Sequence, residues 1–231
     1  MSIMQPYFFP YLGYFQMVNA ADTFVFYDDV QFIKGGWINR NRILVNKTPT
    51  FFSAQLVGAS SNKLINEVGV MSNDKVIRKA LNTISQNYSK APFFNAIFPI
   101  VEEVYRSASR NIAELAALSV TTVADYLALE THFDFSSNLS FGHNSADRAE
   151  RIADICHGFN ADTYINAPGG KALYSKEFFA KRGIDLFFIE GTLPAYNQGT
   201  KDFFPGMSMV DVLMHNDKAE VLKMLNSFQL V

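Results

Sequence analysis

The sequence predicts an α/β protein, with a mixed or mostly parallel sheet, Rossmann-like βα units and a helical middle insertion or lid. Three observations carry this. Residues 2–30 run as short strand, proline-rich turn, aromatic helix and second strand. Residues 72–129 keep helical periodicity almost without interruption. Residues 130–231 alternate strand and helix, the pattern that favours parallel strand pairs.

The elements follow in order. After Pro10, Leu12 to Val18 suits a short helix, and Thr23 to Tyr27 reads as a strand. Ile43–Val45 and Phe51–Leu56 flank Asn46-Lys-Thr-Pro49, the pattern of a hairpin. From Asp74 to Asn87 the apolar positions Val76, Ile77, Ala80, Leu81 and Ile84 make a helical stripe, with Ser72 or Asn73 as cap. Ala91-Pro92 opens a second helix through Ile97, Val101 and Val104, and a third runs from Ile112 to Leu129. Ser145 is placed to cap a helix whose inner face is Ala149, Ile152, Ala153, Ile155 and Cys156, closed by Gly158. Thr163-Tyr-Ile165 is a strand ending at Pro168-Gly-Gly170. Ser175 caps a short helix ended by Gly183, and Ile184 to Ile189 is an apolar strand. Asp217-Lys-Ala-Glu220 has the form of a capping box for a last helix. The whole reads as one domain, residues 1–231: a strand-rich part (1–71), a helical part (72–129) and an α/β part (130–231).

Composition narrows the function classes. The chain has 231 residues, 48% hydrophobic and 18% charged, which suits a folded globule with a real core. Phenylalanine is abundant, with 22 copies, enough both for core and for the wall of a ligand cleft. Basic and acidic residues number 20 and 22 and are well mixed, so no basic stripe exists for duplex nucleic acid. Residues 1–21 lack any charged side chain, yet Pro6 and Pro10 break the apolar run and no Lys or Arg precedes it, unlike an export signal. No other segment approaches the length of a membrane span. A soluble, cytoplasmic protein without a membrane span is expected. The single cysteine, Cys156, excludes an intrachain disulfide and agrees with a reducing compartment.

The segment Met4-Gln-Pro-Tyr-Phe-Phe-Pro-Tyr-Leu-Gly-Tyr-Phe15 is unusual, with two prolines among its aromatics. After it come Phe26-Tyr-Asp-Asp-Val-Gln31, Lys34, Trp37 and Asn39-Arg-Asn-Arg42. Tyr88 to Pro92, Tyr164-Ile-Asn166, Gly170, Tyr174, Phe178, Tyr196 and Met207-Ser-Met-Val-Asp211 follow collinearly. In this order and spacing the set resembles the WbqC-like family along essentially the whole chain. One departure is visible: where a strand ending in an Ile-Pro turn is expected, the chain has Phe52 to Leu56 followed by Val57-Gly-Ala-Ser-Ser61. The resemblance implies a gene of a bacterial O-antigen or related glycan cluster, and no settled chemistry.

The residues themselves suggest a site. The turn after the first strand is placed as in nucleotide-binding βα units, where backbone N–H groups meet phosphate. It has no glycine run, so Gln5, Tyr7 and Tyr14 would do the binding, with Met207 to Asp211 completing the site. Asp28 and Asp29 stand at the next strand's end as catalytic carboxylates. Neighbouring strand residues point to opposite faces, so the two are not expected to act as a dyad. Gln31, Lys34, Trp37, Asn39, Arg40, Asn41 and Arg42 bring amides, cations and an indole close by in sequence, a set matched to phosphate and sugar. Asn166, Gly170, Tyr174 and Tyr196 would join them at the carboxyl ends of parallel strands. Of the four histidines, His143 is the best catalytic candidate, and no spacing suits a shared metal. Cys156 sits on an apolar helix face and reads as core. No cofactor is specified.

Three functions remain open. One is acyl or aminoacyl transfer to a nucleotide-linked amino sugar, with an aspartate as general base and a nucleotide sugar as small-molecule partner. Another is a nucleotidyl- or adenylate-forming enzyme. The last is a non-catalytic carbohydrate-binding or scaffold protein.

Overall fold

A computed structural model describes residues 1–142 and 147–231. The chain begins with β1 (Ser2–Met4), α1 (Leu12–Asn19) and β2 (Thr23–Phe26), then the hairpin β3 (Arg40–Val45) and β4 (Thr48–Ser53), and the short pair β5 (Leu56–Val57) and β6 (Gly69–Val70). Helices α2 (Asp74–Tyr88), α3 (Phe94–Arg106) and α4 (Ile112–Leu127) follow. The last part holds β7 (His132–Phe135), α5 (Arg148–Gly158), β8 (Thr163–Asn166), α6 (Lys176–Ala180), β9 (Asp185–Gly191), α7 (Met209–His215), α8 (Lys218–Leu225) and β10 (Phe228–Leu230).

Six strands form the main sheet in the order β10-β9-β8-β1-β2-β7. All its pairs are parallel except β9 with β10. The side-chain alternation of a strand divides the core into two. Ile3, Val25, Tyr164, Leu186 and Phe188 pack with Ile152, Ile155 and Cys156 of α5 and Phe179 of α6. Phe24, Phe26, Ile165 and Ile189 belong to the larger cluster, with residues of α1, α4, α7 and α8. The fold is therefore a Rossmann-like α/β arrangement with a mostly parallel sheet. Among the described residues no helix is long and apolar enough to cross a membrane.

Several expectations are refined. The hairpin turn is shorter than the sequence suggests: Asn46 and Lys47 both take positive φ, 49° and 63°, and Val45 pairs directly with Thr48. Two left-handed residues make the tight turn whose twist matches the strands. Asn73 caps α2 through its side chain, while Asp147 caps α5; Ser145, the expected cap there, lies outside the described residues. Strands β7 and β10 and helix α7 carry too short a pattern to stand out in sequence. The helical middle part packs into the main body: Ile112, Leu115, Val120, Val123 and Leu127 of α4 are buried in the larger core.

The turn after β1 is held from three sides. Phe9 is fully buried with φ 41°, a left-handed backbone that a bulky residue seldom takes. Its N–H donates to Ser119 Oγ of α4 at 2.8 Å, and its carbonyl accepts from Ser208 Oγ, the cap of α7, at 2.7 Å. Met209 N donates to Pro10 O at 2.8 Å, and Phe8 N to Trp37 O at 3.2 Å. Removing one buried partner leaves a carbonyl without its bond. Ser208→Ala is expected to lower stability by about 1–3 kcal/mol in urea unfolding. A loss below about 0.5 kcal/mol would mean that Phe9 is held by packing alone.

Candidate cleft at the switch point of the sheet

The strand order fixes where a cleft opens. From β1 the chain moves one way to β2 and β7, and its last third moves the other way through β8, β9 and β10. Between β1 and β8 the winding reverses, and helices leave in opposite directions beyond the strands' carboxyl ends. A cleft of about 630 Å³ lies there. Met4 and Gln5 at the end of β1, and Asn166 and Ala167 at the end of β8, form its floor. A cleft of about 560 Å³ beside Asp22 and Glu130 lies at the opposite ends of β2 and β7, away from this reversal.

Five of the expected binding residues meet in the switch-point cleft: Gln5, Tyr7, Asn166, Gly170 and Tyr174. Asn166 is nearly buried, and its Oδ1 accepts from Ala167 N at 2.7 Å, which turns the Nδ2 group over Gly170. A Cβ at Gly170 would stand 2.4 Å from that nitrogen, so the glycine is needed for close approach. Burial raises the pKa of Tyr7 and of Tyr174, so both phenols stay protonated donors at neutral pH. Tyr27 is raised by burial as well, with Arg151 opposing.

Sequence reasoning missed Tyr27, Tyr164, Arg148 and Arg151, which also line the cleft. The signal for the arginines was present: a spacing of three in the first turn of α5 puts both on one helix face. Arg151 stacks over the Tyr27 ring at 4.8 Å, donates from Nε to Gly142 O at 2.7 Å, and pairs with Asp29. Arg148 is exposed, with no hydrogen bond or ion pair among the described residues.

The aspartates are arranged differently from the strand-based expectation. Strand β2 ends at Phe26, so the alternation rule stops before them. Both approach one hydroxyl, with Ser136 Oγ 2.5 Å from Asp29 Oδ1 and 3.1 Å from Asp28 Oδ1. Asp28 is buried and also accepts from Ser137 N (3.0 Å), Ser137 Oγ (2.7 Å) and Asn66 Nδ2 (3.3 Å). Such a carboxylate ties three segments together. Asp29 is the one joined to the cleft, through Arg151.

Other expected residues lie elsewhere. Tyr14 is buried, and its hydroxyl donates to Gln5 O at 2.9 Å, so it shapes the turn from behind. Burial pushes the Tyr14 phenol well up. Gln31 and Lys34 are exposed. Asn39 donates to Ala54 O at 3.1 Å, and Asn41 is buried with its Oδ1 accepting from Arg42 N. Arg40 reaches back to the carbonyls of Gly35 and Gly36 and lies 4.2 Å from the Phe51 ring. Trp37 is exposed beside Phe51. Tyr196 belongs to a buried cluster around Asp211. His143 lies outside the described residues. Cys156 is buried, and burial pushes its thiol up to about 12, far from a reactive thiolate. Ser208, expected to complete a phosphate site, does sit against the first turn, but its hydroxyl is engaged by Phe9 O and Val210 N.

Fold and cleft together define a Rossmann-like α/β protein with a tyrosine-rich recess of mixed polarity at the reversal of its sheet. The chain belongs to the WbqC-like protein family, whose pattern matches residues 5–223. It is similar to the uncharacterized protein Rv1507c of Mycobacterium tuberculosis (strain ATCC 25618 / H37Rv), 26% identical over 218 residues, covering 93% of this chain and 92% of that one. No solved structure matches.

The Asn166–Gly170 approach is directly testable. Gly170→Ala is expected to cost about 1–3 kcal/mol by overpacking against Asn166. Gly169→Ala meets no atom within 4 Å and is expected to stay within about 0.5 kcal/mol. Calorimetric unfolding of the two variants compares them; equal melting points would mean that the Asn166 side chain yields to the added methyl without cost.

Proposed function

We propose that the protein acts in bacterial surface-polysaccharide biosynthesis of the O-antigen type, transferring an acyl or aminoacyl group to a nucleotide-linked amino sugar bound in the switch-point cleft. The observation that carries the binding half is Arg148, an exposed cation on a recess whose walls offer phenols and amides, with one carboxylate, Asp147, which accepts from the first N–H groups of α5. Guanidinium groups match phosphate oxygens. Tyr7, Tyr27 and Tyr174 supply flat faces and hydroxyl donors for a base or sugar ring, and Gln5 and Asn166 supply amides. The pathway is supported by the resemblance to the WbqC-like family alone.

The chemistry needs an activated acyl donor such as a thioester. The sugar amine attacks the acyl carbon, the N–C bond forms, the C–S bond breaks, and the thiolate leaves. The amine proton passes to a carboxylate acting as general base. Asp29 is assigned that role, because Arg151 joins it to the cleft while Asp28 is enclosed by its own donors; to take the proton Asp29 exchanges one of its bonds to Ser136 or Arg151. A non-catalytic carbohydrate-binding reading has one observation in its favour. Trp37, in the loop before the hairpin, and Phe51 of β4 are 39% and 50% exposed and lie side by side, with Arg40 over Phe51.

Calorimetry and thermal unfolding with a uridine diphosphate-linked amino sugar test the binding. The ligand is expected to raise the melting point by mass action. Arg148→Ala is expected to weaken binding by about tenfold without changing the melting point of the free protein. Asp29→Asn is expected to retain binding and lose the acylated product when an acyl thioester is added, followed by mass spectrometry. Absence of binding by any nucleotide sugar rejects the reading. Binding lost in Trp37→Ala and kept in Arg148→Ala moves the site to the exposed Trp37–Phe51 pair.

A further inference from the structure

We propose a second small-molecule site, for a hydroxylated ligand carrying an oxyanion, with His215 as its inner contact. It is a cleft of about 490 Å³ enclosed by the β3–β4 turn at Asn46–Lys47, the end of α2 with Lys90 to Pro92, and the loop 197–200. It shares no lining residue with the switch-point cleft. Lys47 and Lys90 are exposed on its rim, Gln86 adds an amide, and no carboxylate side chain lines it among the described residues.

The floor is unusual in its chemistry. Asp211 is fully buried, and no lysine or arginine pairs with it among the described residues. Its carboxylate accepts from Tyr88 Oη at 2.5 Å, Tyr196 Oη at 2.6 Å and Gln198 Nε2 at 3.2 Å. Burial and the neighbouring Asp211 charge hold both phenols far above their ordinary pKa, so they remain donors. Tyr88 Oη in turn accepts from Leu44 N at 2.8 Å. A buried carboxylate without a cation is costly unless fully hydrogen-bonded, and this one is held by three donors directly beneath the cleft.

His215 stands between this network and the open cleft. Its Nδ1 is 2.9 Å from Asp211 O and 3.9 Å from Asp211 Oδ1. A carbonyl can only accept, so Nδ1 carries the hydrogen and Nε2 is left for the cleft. The ring is held at an edge by Tyr88, with centroids 5.8 Å apart, and beside Tyr196 at 6.3 Å. Nε2 so fixed can donate to an oxyanion when protonated, or accept from a hydroxyl of the same ligand when neutral. The two lysines supply the opposing charge for a phosphate or carboxylate.

The test follows the imidazole resonances of His215, assigned with His215→Gln, while inorganic phosphate, glucose 1-phosphate, glucuronate and glucose are added in turn to the full chain. The oxyanion probes are expected to move the His215 signals and glucose to leave them in place. Glucose 1-phosphate prevailing over glucuronate identifies a phosphate ligand, and the reverse identifies a carboxylate. The double variant Lys47→Ala, Lys90→Ala, on exposed positions outside the buried network, is expected to bind about tenfold more weakly or worse. Arg148→Ala is expected to bind these probes unchanged, which separates this site from the switch-point cleft. His215 signals unmoved by every probe, equal response to glucose, or undiminished binding in the double lysine variant would each overturn the proposal.

Discussion

Phe9 is the constraint on which the remaining architecture rests. A buried phenylalanine in a left-handed conformation costs of order 1–3 kcal/mol and persists only where its surroundings over-determine it. Here they do: α4 binds its N–H, the cap of α7 binds its carbonyl, and Trp37 O, in the loop before the hairpin, accepts the N–H of Phe8. Three stretches distant in sequence meet at one peptide unit. The same turn then points Gln5 and Tyr7 into the cleft and seats Tyr14 behind them. A local backbone conformation and the site's geometry are one fact.

The two aspartates show how position along a strand decides a role. Had β2 continued three residues further, through Asp29, pleating would have parted their side chains. Because it ends at Phe26, the chain curls, Ser136 comes between them, and only Asp29 reaches an arginine of α5. The carboxylate buried more deeply is the more occupied with structure.

Much of the fold was legible because periodicity and caps speak locally. The stripe of α2 with Asn73 as cap, the inner face of α5, and the glycine after α6 all stand where the residues put them. Short elements were not legible. A three-residue β10 and a four-residue β7 hold through pairing with β9 and β2, which no local pattern announces. The site divides in the same way. Residues at strand ends were found, since a parallel sheet gathers them. The cluster from Gln31 to Asn41 was grouped by nearness in sequence, whereas the hairpin turns most of those side chains onto their own backbone. Tyr196 was placed at a strand end, but the loop after β9 carries it to Asp211.

The central place of β1 has a consequence for how the chain assembles. Its partner on one side, β2, is about twenty residues away, while its partner on the other, β8, is joined through Ser2 and Ile165. Folding rate falls as contacting residues lie further apart in sequence. On a ribosome β1 and β2 emerge together, while β7 (His132–Phe135) and then β8 (Thr163–Asn166) arrive only after the helical middle part, so one edge of β1 waits bare through most of synthesis. That edge is the segment on which a folding helper has most to act, and the cleft exists only after the last third of the chain has arrived.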